Sequence, residues 1–148
     1  MLKKYCIYAY NLHQKMNSLQ NVSIKLVQGL NLLTQTEFNK FEIFSSSKYF
    51  AEERDYSRLL EALRKMHVSG FKNHNNQTLI SHLVESLNMS KHTVLNRMSE
   101  LYKIYEKFVV NEQIIGNKDK KIFLLLNYYL DKKSSKLFDY VLNSYKSE

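Results

Sequence analysis

Apolar positions recur along this chain at alternating spacings of three and four, as in helices that each bury one face. Leu2, Tyr5, Ala9, Leu12, Met16 and Leu19 form the first stripe, which predicts an amphipathic helix in an N-terminal arm over residues 1–31. Such a stripe serves a core or an oligomer seam. A short helix over 22–30 follows, with Ile24, Val27 and Leu30 inward. Thr34 and Glu37 have the spacing of a capping box, and Leu33 with Phe38 that of a hydrophobic staple. Phe41 and Phe44 extend that apolar face as far as Ser45-Ser46-Ser47.

From about 52 to 67 a further helix turns Tyr56, Leu59, Leu60, Leu63 and Met66 to one side. Glu52, Glu53 and Asp55 open it, and Arg64, Lys65 and His67 close it, which complements the helix dipole. Residues 70–77, rich in Asn and His, read as a loop. A helix over 77–87 then buries Leu79, Ile80, Leu83, Val84 and Leu87, and a corner at Asn88-Met89 leads to Ser90, a good N-cap. In the next helix Val94, Met98 and Leu101 face inward, and the stripe continues through Tyr105 and Phe108.

Beyond Phe108 the pattern allows two structures. Phe108-Val109-Val110 and Ile122-Phe123-Leu124-Leu125, separated by Gly116-Asn117-Lys118-Asp119, suit a β-hairpin at about 108–126, the wing of a winged helix. Alternatively, Ile115, Ile122, Leu125, Leu126 and Tyr129 form the inner face of a helix reaching about Lys132. A last helix starts at Ser134 or Ser135, with Leu137, Phe138, Val141, Leu142 and Tyr145 inward. The expected fold is an all-α multi-helix bundle containing a helix-turn-helix-like unit, as one helical domain over 1–148; the winged helix is the alternative.

Composition sharpens this picture. Three Gly and no Pro in 148 residues leave few breakers and favour long helices. The lone Cys6 cannot form an internal disulfide, which suits a reducing cytoplasm. The longest apolar run, Ile122 to Leu130, is interrupted by Asn127 and is too short to span a bilayer, so no membrane partner is expected. No Gly-rich phosphate loop, Cys/His metal set or nucleophile elbow is present, so the chain reads as a non-enzyme without cofactors. His67, His74, His82 and His92 share no recognised ligand spacing with a third partner.

The net charge of +8 is unevenly spread. Residues 1–63 hold 8 Lys/Arg against 6 Asp/Glu, and residues 64–148 hold 14 against 8. The basic half contains the corner at 88–90, where a phosphate-bearing partner would gain from counterion release. Lys91, His92, Thr93, Asn96 and Arg97 are polar positions near the start of the helix that follows. Lys91 and Thr93 lie where backbone N–H groups can also grip phosphate. Arg97 suits guanine and Asn96 adenine through bidentate hydrogen bonds. Leu95, on the same side, is apolar.

Leu87-Asn88-Met89-Ser90-Lys91-His92-Thr93-Val94, with Arg97 and Leu101, resembles the helix-turn-helix of bacterial regulators within residues 78–101. That resemblance implies duplex DNA as partner, and symmetric operators would call for a homodimer. A second resemblance spans residues 33–148. Leu33-Thr34-Gln35-Thr36-Glu37-Phe38-Asn39-Lys40-Phe41, Ser47-Lys48-Tyr49-Phe50, Met98-Ser99-Glu100-Leu101-Tyr102-Lys103-Ile104 with Phe108, and Lys136-Leu137-Phe138 carry it. In order and spacing these look like an uncharacterised family of large all-helical Bacteroidota proteins. Lys48 stands where members commonly have Pro. This likeness implies an all-helical fold without a wing, and brings no catalytic residues. The leading expectation is a DNA-binding helix-turn-helix protein, with transcriptional regulation as the role that the resemblance implies. The alternative is a helical scaffold whose basic face meets an acidic protein partner.

Overall fold

Thr34 and Glu37 close the capping box that their spacing implies. The Glu37 N–H donates to Thr34 Oγ1 at 3.2 Å, and the Thr34 N–H donates to Glu37 Oε2 at 2.8 Å. The computed structural model describes residues 24–51, 54–71 and 74–146, and among these it contains eight helices and no strand. In chain order they are α1 (Lys25–Asn31), α2 (Gln35–Ser45), α3 (Lys48–Ala51), α4 (Ser57–His67), α5 (Asn76–Leu87), α6 (Lys91–Ile115), α7 (Lys118–Asp131) and α8 (Ser135–Lys146). The Leu2–Leu19 stripe, Cys6 and the pair Glu52-Glu53 lie outside the described residues. No helix among the described residues is long and apolar enough to cross a membrane.

The contacts fall into two compact units, with described residues 24–105 in the first and 106–146 in the second. In the first unit α2 packs against α3 and α4, and α4 against α5. Leu30, Phe38, Leu63, Leu83, Val94 and Leu101 are fully buried. Burying each such side chain stabilises the fold by about 1.5–3 kcal/mol. The Tyr105 ring meets Phe41 edge-on, with centroids 5.8 Å apart, and lies so close to Gly29 that a Cβ there would meet its Cε1 at 2.6 Å. Glycine at 29 is therefore what lets α1 approach α6.

α4 starts at Ser57, later than its run of acids suggests. Asp55 still serves the helix start, its Oδ1 accepting the Ser57 N–H at 2.8 Å. Arg64 on α4 ion-pairs with Glu42 on α2, its Nε donating to Glu42 Oε1 at 2.9 Å. At the other end, His67 Nε2–H donates to the Leu33 carbonyl at 2.9 Å, and its ring lies 4.6 Å from that of Phe38. Buried Nδ1 of His67 has no hydrogen-bond partner among the described residues. Gly70 and Phe71 then turn the chain with φ of 64° and 57°. Phe71 accepts this left-handed conformation with its ring buried. Asn75 and Thr78 make a second capping box, starting α5 earlier than the apolar pattern indicates.

The β-hairpin alternative at 108–126 is not what forms. Those residues belong to α6 and α7, so the chain is all-helical rather than a winged helix. The turn at Gly116–Asp119 is present but joins two helices, because Asn117 Oδ1 accepts the Lys120 N–H at 2.9 Å and caps α7. A pair of strands would have had to discard the 3.6-residue register that Leu101, Tyr105 and Phe108 already share.

In the second unit α7 and α8 pack together. Ile122, Leu125, Leu126 and Tyr129 of α7 are half-buried, as are Phe138, Val141 and Leu142 of α8. Tyr145 OH donates to Asp119 Oδ1 at 3.0 Å, which raises the Tyr145 pKa above the phenol range. Neither helix contains a fully buried residue, and Phe123, Leu130 and Tyr140 are about two thirds exposed (66%, 64% and 70%).

Candidate nucleic-acid interface

The corner between α5 and α6 is built by Asn88. Its φ of 51° and ψ of 49° place it in the left-handed region, which asparagine tolerates better than most residues. The Met89 N–H then bonds the Val84 carbonyl at 3.2 Å, closing the end of α5 in the manner of a Schellman motif. Two residues later Ser90 Oγ accepts the Thr93 N–H at 3.1 Å and starts α6. This is a helix, a three-residue turn and a helix, with the second helix starting at exposed Lys91 and His92.

The five residues singled out from the sequence do not share one surface. At about 100° per residue, Asn96 leaves α6 about 140° from Lys91, and Arg97 a further 100° on. Lys91 and Arg97 therefore flank the buried side formed by Val94, Met98 and Leu101, and Asn96 lies opposite it. Thr93 is half-buried, its hydroxyl 2.8 Å from Ser90 Oγ, so it serves the cap. His92 and Asn96 are brought together, the Asn96 amide nitrogen lying 3.0 Å from His92 Nε2. An amide nitrogen only donates, so in this contact Nε2 is the acceptor. The outward stripe of α6 is His92, Asn96, Ser99 and Lys103, all exposed. Ser99 and Lys103 are the members that the motif does not mark, although the helical period implies them.

Arg97 points to a different place. It is half-buried, and its Nη1 donates to the Asp55 carbonyl at 3.4 Å. Arg97, Arg54, Arg58, Asp55 and Met89 line a cavity of about 380 Å³ beside the corner. The Ser57 backbone N–H, and less strongly Arg97, hold the Asp55 carboxyl below the usual carboxylate range. Glu100 ion-pairs with Arg54 and also accepts from Tyr56 OH at 3.2 Å. On the opposite flank Lys91 and Leu95 border a groove of about 770 Å³ with Ile80 and Val84. Leu95, 39% exposed, thus meets a partly apolar groove.

Set beside protein-family models, curated proteins and solved structures, the chain matches none of them. The site must be read from its own residues. Among the described residues, no three His, Cys, Asp or Glu side chains gather to hold a metal ion. What the surface offers is cationic and amide hydrogen-bond donors around a helix start.

Proposed function

We propose that the chain binds duplex DNA through the α5–corner–α6 unit, as a helix-turn-helix protein of the regulator type. The observation that carries this reading is the Asn88–Ser90 corner, followed by a helix whose polar stripe is exposed from its first turn. His92, Asn96 and Lys103 would face the major groove, with Lys91 at the helix start holding phosphate. Base reading then rests on His92 and Asn96, and Arg97 is released from that role. The 25-residue α6 is about 37 Å long, so only its first turns would enter a groove.

Titration of labelled duplex at several salt concentrations tests this. With about five phosphate contacts, log affinity should fall against log salt with a slope of roughly −4 to −5. Asn96→Ala should relax sequence preference, whereas Lys91→Ala should weaken all sequences alike. Affinity no greater than that of an unrelated protein of similar charge would refute the proposal. A second reading, a helical module for an acidic protein partner, is favoured by the exposed Phe123, Leu130 and Tyr140. It predicts recovery of one stoichiometric protein partner that nuclease does not disturb.

A further inference from the structure

Arg97 lies about forty residues along the chain from Arg54 and Arg58, yet all three line one concavity with Asp55 and Met89. Arg54 and Arg58 flank the start of α4, and Arg97 reaches the same place from α6. A helix N-terminus carries partial positive charge and leaves first-turn N–H groups without partners in the helix. Acidic residues normally occupy such a turn, but the first turn of α4 contains none and places Arg58 there instead. Cations gathered at the positive end of a helix oppose one another unless an anion joins them.

Among the described residues, two nearby carboxylates satisfy only part of this demand. Asp55 accepts the Ser57 N–H, and Glu100 is engaged by Arg54 and Tyr56. Among the described residues, Arg54, Arg58 and Arg97 outnumber Asp55 and Glu100 by one charge. Each guanidinium has five N–H donors in a planar fork, and the recorded bond of Arg97 to Asp55 uses one of them. Forked donors of this kind match the paired oxygens of a phosphate.

We propose that Arg58 and Arg97, supported by Arg54 and the start of α4, form a phosphate-binding site beside the helix-turn-helix corner. As a clamp on the DNA backbone it deepens the nucleic-acid reading and rests on it. As a receptor for a free phosphate group it stands alone. The position of Met89 in its wall puts the site next to the start of α6, where a backbone contact would fix the register of the reading helix.

The test uses the full chain and inorganic phosphate, followed through the arginine side-chain N–H resonances, with chloride at matched ionic strength as control. Saturable shifts at Arg58 and Arg97 are expected with phosphate only, weakened about tenfold or more in Arg58→Gln. Shifts that do not saturate, or that survive Arg58→Gln unchanged, would overturn the site. Arg58 is exposed, and an unchanged circular-dichroism spectrum shows that the variant remains folded. Duplex titration identifies the source of the phosphate. A salt slope reduced by about 1 in Arg58→Gln, equally for all sequences, assigns it to the DNA backbone. An unchanged slope overturns the clamp and leaves a free-phosphate site. If the wild-type chain binds no duplex, the DNA reading fails while the phosphate titration still decides the site.

Discussion

Replacing Gly29 by alanine sets two effects of known size against each other. In an isolated helix the change is favourable by about 1 kcal/mol, because alanine loses less backbone entropy. Here the new Cβ would lie 2.6 Å from Cε1 and 2.8 Å from Cζ of Tyr105, closer than carbon atoms approach. The ring cannot retreat cheaply, since Tyr105 is buried between Phe41, edge-on at 5.8 Å, and Tyr102 at 6.0 Å. Overpacking of this kind costs about 1–3 kcal/mol. The clash should therefore win, leaving Gly29→Ala destabilised by roughly 1 kcal/mol. Tyr105→Leu removes the offending ring, and in that background Gly29→Ala should stabilise by about 1 kcal/mol instead. The two changes thus couple by about 2 kcal/mol. Urea unfolding followed by far-ultraviolet circular dichroism measures all four proteins, provided their m-values agree. Equal effects of Gly29→Ala in both backgrounds would refute the reasoning, because α1 would then not be seated against that ring.

Thr34→Ala should cost about 1 kcal/mol of stability by opening the first capping box, as read by the same unfolding assay. Hydrogen bonds from the Thr34 backbone and side chain depress the Glu37 pKa, so its contribution is present above the ordinary carboxylate range and is lost as pH falls below it. Unfolding midpoints at pH 6 and pH 3 should accordingly differ more in the wild type than in Glu37→Gln. At the corner, Asn88→Gly should be neutral or mildly stabilising, whereas Asn88→Val should cost about 1–2 kcal/mol, since a β-branched residue resists a φ of 51°. Burial raises the Tyr105 pKa, so its share of stability holds below the ordinary phenol value near 10.0 and fades as pH climbs past it. Tyr105→Phe should remove one of the late phenolate transitions in an alkaline absorbance titration, since Tyr105 and Tyr145 are both raised; an unchanged set of late transitions would refute the burial argument.

Features encoded over three or four residues were legible in the sequence. Thr34–Glu37 and the Ser90 cap involve only neighbours along a helix start, and both form as their spacing implies. The start of α4 was less legible because a run of acids suits a first turn and a preceding loop equally. Strand-like Phe108–Val110 and Ile122–Leu125 became helix because propensity yields to a register that is already packed. Placement of the candidate site was only half visible. The exposed stripe through His92 and Asn96 follows from the helical period, but the meeting of Arg97 with Arg54 and Arg58 spans about forty residues and depends on tertiary packing. No local pattern announces it.

Phe71 carries a consequence for how this chain can change. Its left-handed backbone costs a side-chain-bearing residue roughly 1–2 kcal/mol. Its ring, 4% exposed, returns about 1.5–3 kcal/mol by leaving water. Glycine would relax the backbone and forfeit the ring; leucine or alanine would keep the strain and give up contact area. Each of these replacements trades one term against the other, so change at this position is held back unless the turn at Gly70 and Phe71 changes with it.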